Sequence, residues 1–131
     1  MRSYASAASV AAILLGLAAG AGNARADDLA IAFSFDASSK CSKVSPEIRV
    51  GNIPPGTAVF KVKLKDRDAT WRHGGGTFAN DGSGIIPKGA LKDGYNGPCP
   101  PDRPHRYVFT VKALDADGNE LAEGSAERKF P

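Results

Sequence analysis

The sequence is poor in several residue types, and each shortage excludes something. Two cysteines, one tryptophan and one methionine occur in 131 residues. The cysteines, Cys41 and Cys99, are not in CxxC spacing, which argues against a zinc ribbon or a thioredoxin-like redox motif. There is no HExxH pair and no Gly-x-Ser-x-Gly elbow, and Gly74-Gly75-Gly76 is not followed by Lys-Ser/Thr. Zincin, serine-hydrolase and P-loop chemistry therefore find no foothold. No basic block or basic helix suggests nucleic acid. Internal repeats, low-complexity tracts and a helical period beyond the N-terminal segment are also missing.

What is present begins with a leader. Arg2 precedes an apolar run, Val10 to Ala19, and Ala24-Arg25-Ala26 places small residues where a signal peptidase cuts. Residues 1–26 are read as a secretory signal peptide and 27–131 as one mature domain. The competing reading, a membrane anchor, needs about 20 apolar residues, and the run is shorter. The mature domain is expected in the periplasm or outside the cell, without a stable membrane anchor. Removal of Arg2 and Arg25 leaves 15 basic against 14 acidic residues, a formal charge of +1. In an exported chain the two cysteines read first as a disulfide; a metal pair or a reactive thiol is the alternative. A bridge across 58 positions stabilises by about 4 kcal/mol on the loop-entropy model.

Period-two alternation dominates the mature chain. Leu29, Ile31, Phe33 and Phe35 mark a first strand, and Glu47 to Val50 a short second one. Ala58 to Lys65 is the cleanest, with Phe60, Val62 and Leu64 on one face and Lys61, Lys63 and Lys65 on the other. Asn80 to Gly84 is a turn before the short extended piece Ile85-Ile86-Pro87. Tyr107 to Ala113 is apolar on both faces, as a central strand requires. Asp115 to Asn119 reads as a hairpin turn, not a calcium loop, and Leu121 to Phe130 as a polar last strand. Gly74 to Gly76 either lets backbone approach a ligand or forms a loose hairpin. The fold class is all-β: a compact antiparallel sandwich with no long helix in the mature chain.

One stretch organises the rest. From Gly94 to Asp115, a glycine- and proline-set loop feeds the central strand, with His105 and Arg106 at the junction. Gly97-Pro98-Cys99-Pro100-Pro101, followed by His105-Arg106-Tyr107, resembles the signature of the phosphatidylethanolamine-binding proteins, which include the bacterial homologues of Raf kinase inhibitor protein. Asp66-Arg67-Asp68-Ala69-Thr70 resembles that family's DPDAP motif, with arginine and threonine in place of its prolines. Trp71-Arg72-His73 matches its tryptophan–histidine pattern.

The resemblance implies a reduced form of that fold, with Greek-key connections. It also implies a ligand site at Asp66, Asp68, His73, Gly97, Pro98, Pro100, His105 and Tyr107. Such a set suits a small anion, because histidine and free backbone N–H groups donate to phosphate oxygens. Plainer readings stand beside it. Asp66 and Asp68 fit a solvated turn, His105 and Arg106 fit a loop cap, and Tyr107 fits the core. The expected function is a non-catalytic, exported binding protein for a phosphate-like or phospholipid-headgroup-like anion, needing no cofactor and no metal. A protein-interaction domain that inhibits a kinase or protease is the alternative. A hydrolase using a His–Asp general base ranks third.

Overall fold

The structure, a computed structural model, describes residues 28–131. The leader expected over residues 1–26 lies outside the described residues. Among the described residues, seven strands and one short 3-10 turn at Ala37–Ser39 make up the regular structure. The small sheet has the order β1-β2-β5, from β1 (Ala30–Ala32), β2 (Ile48–Gly51) and β5 (Ile85–Ile86). The large sheet has the order β4-β3-β6-β7, from β3 (Val59–Asp66), β4 (Arg72–Ala79), β6 (His105–Leu114) and β7 (Glu120–Phe130). All pairings within the two sheets are antiparallel. The chain leaves the large sheet after β4, adds β5 to the small one, and returns as β6 beside β3. That crossed return is the Greek-key connection.

The alternation carries directly into burial. Phe60, Val62 and Leu64 are buried while Lys61, Lys63 and Lys65 are exposed. Tyr107, Phe109, Val111 and Ala113 are fully buried on β6, which is flanked on both sides by β3 and β7. Ile48, Val50 and Ile86 from the small sheet complete a single core with them. The first strand is shorter than its pattern suggests. Leu29 and Phe33 are buried as the pattern requires, yet ladder pairing runs only from Ala30 to Ala32. Phe33 then packs edge-on to Phe109, with centroids 4.7 Å apart, so the core holds this stretch where the ladder does not.

Gly74 to Gly76 correct the sequence reading: they are neither a ligand loop nor a hairpin but the middle of β4. Gly75 pairs with Lys63 on one side and exchanges two backbone hydrogen bonds with Asp93 on the other. A Cβ there would overlap the Val62 carbonyl oxygen. The glycines let two pieces of backbone close in on β4, which no side chain would permit.

Cys41 and Cys99 form a disulfide, with Cα atoms 4.6 Å apart. It ties the loop after β1 to the proline-rich loop before β6. The two loops also meet through backbone hydrogen bonds from Cys41 N–H to the Pro98 oxygen (2.8 Å) and from Gly97 N–H to the Ser42 oxygen (2.6 Å). A Cβ on Gly97 would lie 2.6 Å from the Ser39 oxygen, so the approach depends on glycine.

Candidate functional site

Three neighbouring strands bring their inward positions to one end of the large sheet. On β3 the inward series Phe60, Val62, Leu64 continues to Asp66 at the strand's last residue. On β6 the inward series starts at His105, and Asp66 pairs in register with Tyr107. On β4 the first inward residue is His73. Period two in three adjacent strands therefore converges on Asp66, His73 and His105, all buried.

Their hydrogen bonds fix their chemistry. His105 Nδ1 lies 2.7 Å from Asp66 Oδ2, and the Asp68 N–H donates to Asp66 Oδ1 at 2.8 Å. Both carboxylate oxygens are engaged, and His105 Nδ1 must be the protonated nitrogen. His73 Nδ1 lies 2.7 Å from the Asn96 carbonyl oxygen, which can only accept, so this nitrogen also carries its proton. His73 Nε2 stays 4.0 Å from Asp66 Oδ2, beyond hydrogen-bond reach. Among the described residues, each imidazole is thus held by one nitrogen and its Nε2 makes no hydrogen bond. With both rings protonated the trio carries +1; with both neutral it carries −1.

A half-open cavity of about 430 Å³ lies over these groups, with Trp71, Ala69, Pro101, Asn96, Gly97 and the Cys41–Cys99 bridge in its walls. Its lining is mainly apolar around a polar floor, the usual composition of a small-molecule site. Trp71 is 69% exposed. A larger groove of about 550 Å³ runs past Phe33, Asp36, Glu47 and Arg49. There Asp36 is bonded to Ser38 and Glu47 is paired with Arg49.

The expected site residues divide. Asp66, His73, Gly97 and His105 line the cavity. Asp68 points instead at Arg106, accepting from its Nη2 (2.8 Å), its Nε (3.2 Å) and its backbone N–H (2.7 Å). Those bonds, the side-chain ones first, hold the Asp68 carboxyl far below the usual carboxylate range. Asp68 therefore anchors the turn to the start of β6 and does not line the cavity. Pro98 and Pro100 are buried in the loop behind the wall. Tyr107 belongs to the core beneath the floor, its ring 5.4 Å from that of His73 and perpendicular to it. Its hydroxyl is buried close to the Asp66 carboxylate and the Cys99 backbone. Burial, reinforced by the Asp66 charge, pushes it up to about 12.

Four wall residues, Ala69, Trp71, Asn96 and Pro101, were outside the expected set, and two of them are instructive. Asn96 acts through its backbone carbonyl, which no side-chain pattern reveals. Trp71 stood beside His73 in the sequence, and its exposure was the missing information. Among the described residues no group of three or more His, Cys, Asp or Glu side chains is placed to hold a metal ion, and no helix is long and apolar enough to cross a membrane.

Fold and site together define a class: a two-sheet β domain with a histidine–aspartate cavity at its strand ends. Comparison with known proteins gives that class its family. The profile of the phosphatidylethanolamine-binding protein family matches residues 22–130. The UPF0098 protein YbhB of Escherichia coli is 32% identical over 106 residues, covering 63% of this chain and 67% of that one. A UPF0098 protein of Chlamydia pneumoniae is 71% identical over 21 residues, 16% of this chain and 14% of that one.

Among solved structures, a phosphatidylethanolamine-binding protein homologue of Chlamydia trachomatis superposes with a TM-score of 0.63 at 20% identity. The match covers 81% of this chain and 99% of that one. Escherichia coli YbcL gives 0.60 at 20% identity, over 79% and 98%. At that identity the structures show a shared fold. The chain belongs to the phosphatidylethanolamine-binding protein family, and membership supports a binding-type protein.

Proposed function

We propose that the chain is an exported, non-catalytic binding protein whose cavity takes a small anion of the phosphate or phospholipid-headgroup kind. The carrying observation is the pair of histidines, each fixed through Nδ1 and each keeping Nε2 unbonded at one cavity. Two imidazolium N–H donors match phosphate oxygens. The apolar walls suit the organic part of a phosphoester. Asp66 between the two rings holds them in place for such a ligand.

The Asp66–His105 pair has the form of a general base. Among the described residues no serine or threonine lines the cavity, and the cysteines there are bridged, so we read it as a holding device. Exposed Trp71 at the cavity wall favours a second reading, contact with a protein partner through this rim.

The test is a two-dimensional NMR titration of the oxidised protein with inorganic phosphate and with phosphoethanolamine. Saturable shifts at both His73 and His105 are expected. No shift at either histidine in a folded protein would sink the anion reading and direct the search to protein partners.

A further inference from the structure

We propose that the Cys41–Cys99 disulfide is a redox-controlled wall of the cavity, and that reducing it loosens the segment leading into His105 and weakens ligand binding. The affinity part rests on the anion reading above; the conformational part does not.

Both cysteines line the cavity that Asp66, His73 and His105 share, and both are exposed, so a reductant reaches the bridge from solvent. Behind the bridge the two loops hold each other through backbone hydrogen bonds at Pro98 and Gly97 and through burial of Pro98. That inner support does not extend past Cys99. Residues 100–104, including the wall residue Pro101, make no hydrogen bond or ion pair with other described residues. Pro100 is buried, but residues 101–104 are exposed. The segment lies beside Lys40 and Pro131, and its covalent and hydrogen-bonded ties are at its two ends: the bridge at Cys99, and β6 at the histidine that meets Asp66.

On the facing loop, Cys41 has φ of 51°. A non-glycine residue keeps such a backbone only under constraint, and the bridge is a constraint that reduction removes. The buried core of the two sheets contains neither cysteine, so reduction leaves the core contacts in place and removes the contribution that the bridge makes through the unfolded chain.

The step is a two-electron exchange with a dithiol. One reductant thiolate attacks a bridge sulfur, the S–S bond breaks, and a mixed disulfide forms. The reductant's second thiolate resolves it. Cys41 and Cys99 end as thiols carrying two protons, and the reductant leaves as its own disulfide.

The experiment compares the full chain oxidised, reduced with dithiothreitol, and reoxidised, alongside a Cys41→Ala/Cys99→Ala variant. Circular dichroism follows the fold. NMR follows the side-chain signals of His73 and His105. Emission follows Trp71, the chain's one tryptophan. Phosphoethanolamine titration gives affinity. We expect a folded protein throughout, reversible changes at both histidines and Trp71 on reduction, and affinity at least tenfold weaker in the reduced and variant forms.

Histidine signals that ignore the redox state, equal affinities in the two forms, or loss of the fold on reduction would overturn the proposal and leave the bridge a simple staple. If the oxidised protein binds no phosphoethanolamine yet both histidines respond reversibly to reduction, the anion reading fails and the redox coupling of the cavity stands.

Discussion

Replacing Asp66 with alanine removes the one acceptor on which the floor of the cavity depends. Two donors lose their partner: His105 Nδ1, fully inside the protein, and the Asp68 N–H, partly inside. An unpaired buried donor costs about 1–3 kcal/mol. The histidine belongs near the upper end, because its bond is to a carboxylate, and the half-exposed amide near the lower. The expected loss is therefore about 3–4 kcal/mol, a large share of the roughly 5–15 kcal/mol that holds a domain together.

Asp66→Asn separates acceptor from charge. Its carbonyl oxygen keeps the Asp68 N–H, while its amide N–H₂ faces His105 Nδ1. That forces the ring to accept through Nδ1 and to carry its proton on Nε2. About 1–2 kcal/mol should be lost, because one bond is exchanged and none is left void. Urea unfolding of the wild type and both variants measures the losses, and histidine ¹⁵N shifts read the tautomer. A loss below about 1 kcal/mol in Asp66→Ala, or equal losses in the two variants, would refute the idea that paired donors at this carboxylate organise the site.

Three further outcomes follow from the same geometry. Burial raises the hydroxyls of both Tyr95 and Tyr107, the latter to about 12, so in a Tyr4→Phe background tyrosinate absorbance should stay flat as pH passes about 10, the ordinary value. Stability is full below that value and falls above it, as the unfolded chain ionises first; ordinary titration of either hydroxyl in the folded protein contradicts this. Asp68 has the opposite sign. Its depressed value gives a contribution present above the ordinary 3.8 and lost as pH falls through the lower folded value. The melting temperature of Asp68→Asn should thus lie below wild type at neutral pH and meet it only in strong acid; identical melting at neutral pH would remove the Arg106 coupling. Gly75→Ala drives a Cβ into the Val62 carbonyl and should cost about 3 kcal/mol or more, read from the unfolding midpoint, whereas a neutral result would show that β4 can shift away from β3.

Much of the architecture was legible because a strand's faces alternate with fixed period. Phe60-x-Val62-x-Leu64 announced one face of β3, and Tyr107-x-Phe109-x-Val111 announced β6; both series are buried. The polar Leu121 to Phe130 became the edge strand β7, where charged side chains reach water. The Asp-Gly turn at Asp117-Gly118 is where the chain reverses, and Gly118 takes the positive φ of 85° that such a turn needs. Gly74 to Gly76 were opaque. A glycine records only that no side chain is wanted, and what approaches it, here Val62, Leu91 and the Asp93-Gly94 backbone, comes from other parts of the chain.

The site divides along the same line. The residue types of a histidine–aspartate anion site, and the two cysteines, were in the sequence. The sequence could not separate Asp66 from Asp68, two residues apart in one motif. The register of β3 against β6 decided that: Asp66 is the last inward position of the strand, and Asp68 lies past its end on Arg106. Nor could the sequence supply the Asn96 carbonyl that sets the proton of His73, because a backbone oxygen belongs to every residue and acquires a role only from position. Sequence by itself determined which faces were apolar and which chemical groups were available, since both are properties of side chains in order. Which of those groups meet, and through which atoms, was decided only by strand pairing and by the loop laid along β4, which bring positions 66, 73, 96 and 105 within hydrogen-bond range or close to it.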